Sequence, residues 1–277
     1  LILQFSIVIN ICKSSCKGAL FSYSMGRFIL GITCGHSLRI RNSFGLCVSL
    51  LFLYPLIWCI VNHILYCNRT GATMRKHCAI VLGGIFSPLD GIDTADFVIA
   101  CDKGYAYIRE YDLEPDLVVG DFDSYHGKIT PGIEILDLPT MKDDTDTLAA
   151  IRYALEHDYK DLTLYCAFGG RFDHLMGNVQ AAMYAVSQGA VVRMVSHDTD
   201  SYLFSHGDIT LEPRMDYSLS VLALSDECHN VTITGAKYAL KNATLYNTKP
   251  VGVSNVWHDT VHVKVGDGIL MVSMSHM

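Results

Sequence analysis

At residues 117–124 the sequence reads LVVGDFDS, three apolar residues followed by a glycine and two alternating aspartates. An uninterrupted apolar run of this kind is typical of a strand buried on both faces of a parallel sheet. Alternate side chains of an extended segment point the same way, so Asp121 and Asp123 can share one cation. Gly120 allows a ligand to approach the backbone closely. Open α/β sheets bind ligands at the carboxyl ends of their strands, so this stretch predicts a cation site at the edge of such a sheet.

The same alternation of strand and helix continues on both sides of this stretch. Further short runs rich in Val, Ile and Leu occur at 78–82, 97–101, 133–136, 162–167 and 191–195. Between them, apolar residues recur every three or four positions at 105–111, 145–157 and 174–188. Alternating strands and helices predict an α/β fold with a mostly parallel sheet covered by helices on both faces.

The pattern changes after residue 198, where helical spacing disappears. Short alternating segments follow at 218–223, 230–234, 260–265 and 269–273, and Gly266-Asp267-Gly268 predicts a hairpin turn between the last two. These segments predict a second, smaller, antiparallel β-sandwich-like domain. We therefore expect three parts: a leader over 1–73, an α/β catalytic domain over 74–197 and a β domain over 198–277.

Charge separates the leader from the rest of the chain. Residues 1–73 contain six basic residues and no Asp or Glu, which leaves fifteen basic and 28 acidic residues, a formal charge of −13, for 74–277. An acidic body argues against a nucleic-acid surface, which needs clustered Lys and Arg. It suits a protein whose carboxylates gather around a divalent cation. The four body cysteines (Cys78, Cys101, Cys166 and Cys228) are widely spaced, predict buried free thiols and favour a cytoplasmic protein.

Two interpretations of the leader stay open. Its segment 46–61 is almost wholly apolar and approaches the length needed to span a bilayer, so residues 44–67 could anchor the protein to a membrane. Alternatively, residues 1–73 are translated upstream of a native start at Met74, which immediately precedes the first well-patterned strand. We expect the second interpretation, in which membrane contact is absent.

Two further segments carry residues suited to phosphate chemistry. KDDTD at 142–146 opens a predicted helix and adds a second acidic cluster, which a shared Mg²⁺ would hold together against charge repulsion. GGRFDH at 169–174 places paired glycines before a helix N-terminus, and Arg171 adds a fork for phosphate oxygens. The chain has no G-x-x-x-x-G-K-[ST] motif, so any phosphate-transfer activity must work without a P-loop.

Taken in order, four motifs resemble those of bacterial-type thiamine pyrophosphokinases: GDFDS (120–124), KDDTD (142–146), GGRFDHLMGN (169–178) and GVSN (252–255). CDKGY (101–105) and GAKYALKN (235–242) are weaker matches. Lys103 stands where many members of the family have a second glycine, and a basic residue there resembles bacterial versions. The resemblance covers residues 77–275. It implies an α/β nucleotide-binding domain followed by a β-sandwich-like domain, and a homodimer with active sites at the subunit boundary.

The resemblance also implies roles for individual residues. Asp121, Asp123, Asp143 and Asp146 would hold Mg²⁺ and the triphosphate of ATP, with Arg171 assisting catalysis. The ATP side would include Asp102, Lys142, Asp173, His174 and Asn178. Thiamine would be recognised by Ser254 and Asn255, with Tyr238 as an aromatic contact. Asp144 occupies a variable position of the family and receives no role.

The implied reaction transfers diphosphate from ATP to the hydroxyl of thiamine and releases AMP. Positioning and charge neutralisation would supply most of the catalysis, as in other phosphoryl transfers. Two alternatives stay open at this point. One is a membrane-tethered nucleotide-binding protein without catalysis, and the other is a Mg²⁺-dependent nucleotide hydrolase that uses water as the acceptor.

Overall fold

A computed structural model describes residues 5–11, 19–23, 28–33, 37–42, 75–120, 129–137 and 144–277. Its internal contacts divide the chain into two units, Leu1–Ala72 and Thr73–Met277. Within the part of the chain that is described, no helix has the length and apolarity to cross a membrane. The possible anchor over 44–67 lies outside the described residues.

In the first unit, four strands form one sheet. They are β1 (Phe5–Ile11), β2 (Ala19–Tyr23), β3 (Phe28–Thr33) and β4 (Ser37–Asn42), in the spatial order β2-β1-β3-β4. β1 and β3 run parallel, whereas the β1–β2 and β3–β4 pairs are antiparallel. The sequence patterns did not predict these strands.

The second unit contains a mixed sheet whose central strands are parallel. These are β5 (Lys76–Val81), β6 (Phe97–Cys101), β7 (Leu117–Gly120), β8 (Glu134–Asp137), β9 (Tyr159–Tyr165) and β10 (Val191–Val195). β11 (Thr199–Phe204), β13 (Tyr217–Ala223) and β17 (Leu270–His276) extend the sheet with antiparallel pairs. The order across the sheet is β13-β17-β11-β10-β9-β5-β6-β7-β8.

Three helices cover the parallel strands: α1 (Gly104–Glu110), α2 (Asp146–Glu156) and α3 (Phe172–Ser187). β5 shows why both faces of the sheet are apolar. Cys78 and Ile80 pack into the core formed with α2 and α3, while Ala79 and Val81 pack into the core formed with α1. The sequences of such strands are continuous apolar runs because neither face of the sheet is exposed to water.

A second sheet packs against the antiparallel end of the first. It contains β12 (Gly207–Leu211), β14 (Glu227–Ala236), β15 (Leu240–Tyr246) and β16 (Trp257–Val265), in the order β12-β16-β14-β15. All of its pairs are antiparallel, and its core includes Val231, Val261 and Val263 beside Val221 and Val272 of the large sheet. The predicted fold class is confirmed. The domain boundary at 197/198 stays a prediction, and the large sheet continues across it through β11.

The predicted hairpin at 266–268 is wrong. β16 belongs to the small sheet and β17 to the large one, so this segment carries the chain from one sheet to the other. The Gly266 amide donates to the His229 carbonyl at 2.9 Å. Gly268 has φ +88°, and a Cβ there would lie 2.3 Å from the Glu227 carbonyl oxygen. Local turn chemistry therefore predicts the bend but not the partner of the strand that follows it.

Candidate active site

A cleft of about 1290 Å³ opens at the carboxyl edge of the parallel strands. The segments that line it follow three of these strands: Gly83–Phe86 after β5, Asp102 and Lys103 after β6, and Gly169–Arg171 after β9. The first residues of α2 and α3 complete the described lining. This is the edge at which open α/β sheets bind ligands.

The two paired-glycine loops of the cleft pack against each other, backbone to backbone. A Cβ on Gly84 would lie 2.2 Å from the Cys166 carbonyl oxygen, and a Cβ on Gly169 would lie 2.4 Å from Ile85 Cδ1. The Ile85 amide donates to the Phe168 carbonyl at 3.3 Å. Gly84 requires glycine because a side chain there would meet backbone, and Gly169 favours glycine because its φ is +78°. The Gly83-Gly84 and Gly169-Gly170 pairs thus form adjoining walls of one site.

Asp102 marks the end of β6 and has a left-handed backbone, with φ +50°. Its amide donates to the Val119 carbonyl at 2.9 Å. A Cβ on Gly120 would lie 3.0 Å from Asp102 Oδ1, so the glycine leaves space for this carboxylate where β7 ends. Asp121 follows directly in the chain. Asp121 and Asp123 themselves lie outside the described residues.

The second acidic segment opens α2. Thr145 caps the helix by accepting a hydrogen bond from the Leu148 amide at 3.2 Å, and Asp146 lies in the first turn beside the cleft. Asp144 instead forms an ion pair with Arg152, whose guanidinium lies 5.5 Å from the centre of the Tyr184 ring. Lys142 and Asp143 lie outside the described residues. Both described aspartates of this motif line the cleft, and Asp144 is held there by its ion pair with Arg152.

Arg171 and Asp173 form a two-point ion pair at the start of α3. Arg171 Nε donates to Asp173 Oδ1 at 3.1 Å, and a terminal guanidinium nitrogen donates to Oδ2 at 2.5 Å. These hydrogen bonds from Arg171 hold the pKa of Asp173 below its ordinary value. The His174 amide also donates to Asp173 Oδ1, at 3.1 Å. All three side chains are exposed and line the cleft.

Asn178 joins three elements beneath the cleft. Thr147 Oγ1 of α2 donates to Asn178 Oδ1 at 2.9 Å, and Asn178 Nδ2 donates to the Ala167 carbonyl at 3.0 Å. Sequence patterns did not indicate Thr147, which is buried and contacts a residue 31 positions away. This contact fixes α2, α3 and the loop after β9 relative to one another.

The residues predicted to recognise thiamine lie on another part of the unit. Tyr238, Ser254 and Asn255 are not among the residues that line the cleft in the same chain. Asn255 is buried; its Oδ1 accepts from the Tyr238 amide at 2.9 Å, and its Nδ2 donates to the Tyr238 carbonyl at 2.9 Å. Ser254 has φ +58°, and its amide donates to Ser220 Oγ at 3.1 Å. The side-chain amide of Asn255 thus holds the backbone of Tyr238, a residue that is 61% exposed.

The described residues do not by themselves complete a metal centre. Among them, no three His, Cys, Asp or Glu side chains come together in a way that could hold a metal ion. Of the four predicted Mg²⁺ ligands, only Asp146 is described, and it lies at the cleft. The role of the other three stays a prediction.

An open, mostly parallel sheet with a polar cleft at its carboxyl edge defines a class of α/β proteins whose ligands bind at the strand ends. Here the cleft has two glycine walls, several carboxylates and a guanidinium. This combination of oxygen donors and cationic groups is suited to phosphate-transfer chemistry.

Comparison with known proteins identifies the family. A model described as "Thiamin pyrophosphokinase, catalytic domain" matches residues 90–194, and one described as "Thiamin pyrophosphokinase, vitamin B1 binding domain" matches residues 208–270. Thiamine pyrophosphokinase of Bacillus subtilis (strain 168) is 27% identical over 213 residues, which cover 72% of this chain and 99% of the relative. The chain belongs to the thiamine pyrophosphokinase family.

Solved structures agree. The crystal structure of thiamine pyrophosphokinase from Bacillus subtilis has a TM-score of 0.65 at 27% identity and covers 73% of this chain and 99% of that one. The structure from Geobacillus thermodenitrificans has a TM-score of 0.64 at 26% identity, with 73% and 98% covered. Yeast thiamin pyrophosphokinase, at 14% identity and a TM-score of 0.58, shares the fold. The protein is accordingly a transferase with thiamine as its substrate, and it forms thiamine diphosphate.

Proposed function

We propose that this enzyme transfers the diphosphate group of ATP to the primary hydroxyl of thiamine, that it requires Mg²⁺ and that it releases AMP. The observation that carries the proposal is the cleft at the carboxyl edge of the sheet. Glycine walls, carboxylates and the Arg171 guanidinium converge there in a member of this family. Such a site can accept a polyanion together with a divalent cation.

The donor set of the cleft fits Mg²⁺. Carboxylate oxygens are the protein ligands that this ion prefers, and Asp102 and Asp146 supply them at the described edge. Gly120 leaves space beside Asp102 where the chain continues to Asp121. We assign Asp121, Asp123, Asp143 and Asp146 to the ion. When bound, Mg²⁺ would neutralise charge on the phosphate oxygens.

The side chains of the protein would act mainly by positioning. The thiamine hydroxyl oxygen forms a bond to the β-phosphorus of ATP, the bond between that phosphorus and the α,β-bridging oxygen breaks, and AMP leaves. A carboxylate of the cleft accepts the hydroxyl proton. Lys142 and Arg171 stabilise charge on the transferred group, while Asp102, Asp173, His174 and Asn178 line the ATP side. Asn178 does so as part of the contact with Thr147 and Ala167.

An assay of AMP formation by the full chain tests this reaction. The chain is incubated with ATP and Mg²⁺, with and without thiamine, and parallel samples contain EDTA. We expect AMP only when thiamine and free Mg²⁺ are both present. AMP release without thiamine would identify a nucleotide hydrolase instead, and no release under any condition would leave a binding protein without catalysis.

We further propose that the enzyme is a homodimer with active sites shared between two copies. Two exposed apolar patches support this assembly. The rim patch surrounds the cleft and comprises Ile85, Phe86, Phe172 and Met176; the loop patch comprises Tyr238, Val251, Val253 and Val256. In one chain the predicted thiamine residues do not line the cleft. A second copy whose loop patch covers the rim patch would bring both halves of the site together and remove apolar surface from water.

Mixing two inactive variants tests the shared site. Arg171→Ala impairs the cleft, and Tyr238→Ala impairs the loop patch. If each site uses the cleft of one chain and the loop of the other, a mixed dimer contains one intact site, and re-equilibrated mixtures recover about a quarter of the wild-type activity. If each site lies within one chain, mixing restores nothing, and the shared-site proposal is rejected.

We also propose a cytoplasmic location. Cys78, Cys166 and Cys228 are free and buried, and Cys101 is buried as well; buried thiols are usual for proteins of a reducing compartment. Burial raises the pKa of the Cys166 and Cys228 thiols, which keeps them protonated and unreactive. Fractionation of cells that express the native gene tests the location. Recovery of the protein with the membranes would favour an anchor over 44–67.

A further inference from the structure

Lys103 lines the cleft at a position to which the sequence analysis gave no role. It follows Asp102 directly and precedes the first residue of α1. Its side chain is exposed and lines the cleft beside Gly83, whose missing Cβ would lie 3.3 Å from Lys103 Cβ. The first glycine wall and this lysine therefore adjoin each other.

Tyr107 fixes the direction of the Lys103 side chain. The Lys103 ammonium lies 5.3 Å from the centre of the Tyr107 ring, a distance at which a cation is attracted to the aromatic face. Tyr107 is itself buried, and its hydroxyl donates to the Gly84 carbonyl at 2.8 Å. The ring is thus attached to the glycine wall, and it holds the ammonium next to that wall. A hydrogen bond with the Tyr107 side chain raises the pKa of Lys103, so the ammonium stays charged at neutral pH.

The other described cations near the cleft are already engaged by carboxylates. Arg171 forms its two-point ion pair with Asp173, and Arg152 pairs with Asp144. Among the described residues, no salt bridge involves Lys103. A full positive charge beside a glycine wall that admits close backbone approach is suited to an anionic oxygen.

We propose that Lys103 binds a phosphate oxygen of the nucleotide and that Tyr107 is the residue that positions it. This inference rests on the proposed use of a nucleoside triphosphate, and it gives a binding role to a residue of the CDKGY motif that had none. Lysine contributes to phosphate binding as a compact point charge, so its contribution should grow with the number of phosphates on the ligand.

Lys103→Met tests the proposal, because methionine keeps the apolar stem and loses the charge. The chain offers a matched control in Lys76, whose ammonium lies 5.5 Å from the Tyr159 ring. Lys76 begins β5 and so lies at the amino edge of the parallel strands, away from the cleft. Calorimetric binding of AMP, ADP and ATP, each with Mg²⁺, is compared for the wild type, Lys103→Met, Lys103→Arg and Lys76→Met.

We expect Lys103→Met to weaken ATP binding about 10- to 100-fold, the range for one hydrogen bond between charged groups, and to weaken AMP binding much less. Lys103→Arg should restore most of the ATP affinity, and Lys76→Met should bind all three nucleotides as the wild type does. Equal ATP affinity in Lys103→Met and the wild type would overturn the proposal. An equal loss for AMP and ATP would also overturn it, since it would reflect a disturbed cleft rather than phosphate binding.

Tyr107→Phe examines the positioning role, because it keeps the aromatic face but removes the hydroxyl that donates to Gly84. We expect a smaller loss of ATP affinity than in Lys103→Met, and no additional loss when both substitutions are combined. Additive losses would show that Tyr107 acts independently of Lys103. If the wild type binds ATP but forms no thiamine-dependent AMP, the proposed reaction fails while the binding role of Lys103 remains measurable.

Discussion

The cleft exposes charged side chains, whereas the loop patch exposes apolar ones and buries a polar one. At the cleft, Asp173, Arg171 and Lys103 are exposed, and the glycines leave space around them. In the loop patch, the polar side chain of Asn255 is buried and bonded to backbone, while Tyr238 and Val253 are exposed. Under the proposed function, the cleft would present charge to the phosphate groups, whereas the loop patch would present apolar surface to thiamine or to a second copy of the chain.

Substitution of a cleft carboxylate should have the largest effect on activity and a small effect on stability. We expect Asp146→Asn to lower kcat by about 1000-fold, because removing a preorganised charge costs roughly this much in phosphate-transfer and related sites. Its stability should fall by less than about 1 kcal/mol, the usual value of a helix-terminus charge. Steady-state AMP formation and urea unfolding measure the two quantities. Asp121→Asn and Asp123→Asn should behave in the same way.

Asp144→Asn is the matched control for this experiment. Asp144 lies two residues before Asp146, but its carboxylate pairs with Arg152 of α2. We expect its kcat to stay within a few-fold of the wild type. A loss as large as that of Asp146→Asn would show that the ion pair with Arg152 does not separate the roles of the two aspartates.

At the loop patch we expect a large effect on stability, in contrast to the cleft, where we expect a large effect on activity. Asn255→Ala removes an acceptor for the Tyr238 and Val256 amides, each at 2.9 Å, and a donor to the Tyr238 carbonyl. We expect a loss of about 2–3 kcal/mol in the free energy of unfolding, since buried groups lose their partners. Urea denaturation measures it. Asn247→Ala, which removes an exposed bond to Asp226, should change stability by less than about 0.5 kcal/mol.

Equal destabilisation by Asn255→Ala and Asn247→Ala would show that the hydrogen bonds between Asn255 and the Tyr238 backbone do not stabilise the fold. A rise in KM for thiamine that accompanies the stability loss would fit the proposed thiamine contact at Tyr238. Unchanged KM in a folded Asn255→Ala protein would separate this residue from substrate recognition.

An added charge in the loop patch should weaken the proposed dimer. Val253 is 54% exposed and lies in the segment whose backbone pairs with β13 at one edge of the large sheet. We expect Val253→Asp to increase the dimer dissociation constant about tenfold, because it places an unpaired charge in an apolar contact. Sedimentation over a range of concentrations measures the constant. Ile135→Asp adds the same charge on β8 at the opposite edge, and the proposal is wrong if it dissociates the dimer equally.

Comparison with the sequence-based expectations shows which contacts a local pattern can predict. The strands over 97–101 and 191–195 have the predicted bounds because both are rich in apolar residues, although Arg193 interrupts the second run. β12 and β15 were missed, since their buried positions are interrupted by exposed ones. The β16–β17 connection was predicted wrongly because a glycine turn does not specify which sheet the next strand joins.

The candidate site shows the same limit. The motifs over 142–146 and 169–178 contribute described residues to the cleft, Asp146 and Arg171 among them, whereas the role of GDFDS stays a prediction. Thr147 contributes to the site through its hydrogen bond with Asn178. Lys103 is positioned by the ring of Tyr107, whose hydroxyl donates to the Gly84 carbonyl. Contacts between residues that are distant in sequence leave no local pattern. For the same reason, the hydrogen bonds between Asn255 and Tyr238 could not be inferred from the GVSN motif.

The smallest expected effect concerns Asp161 on β9, a central strand of the large sheet. Burial raises the pKa of Asp161 above 3.8, although His77, Arg75 and Arg193 oppose the shift. A carboxyl group that ionises less readily when folded destabilises the protein as pH rises from 3.8 through its folded pKa. Asp161→Asn cannot ionise, so we expect a slightly higher melting temperature at pH 7 and no difference below pH 3.8.

Asp198→Asn, at the residue before β11, provides a control in which we expect the melting temperature to change in the opposite direction. The Ser196 hydroxyl donates to Asp198 and lowers its pKa, so ionisation of this carboxyl stabilises the folded state above 3.8. Its substitution should therefore slightly lower the melting temperature at pH 7, with the difference lost as pH falls. Melting curves of both variants between pH 3 and pH 8 separate the two signs. Equal shifts in the same direction would show that burial at β9 does not govern the ionisation of Asp161.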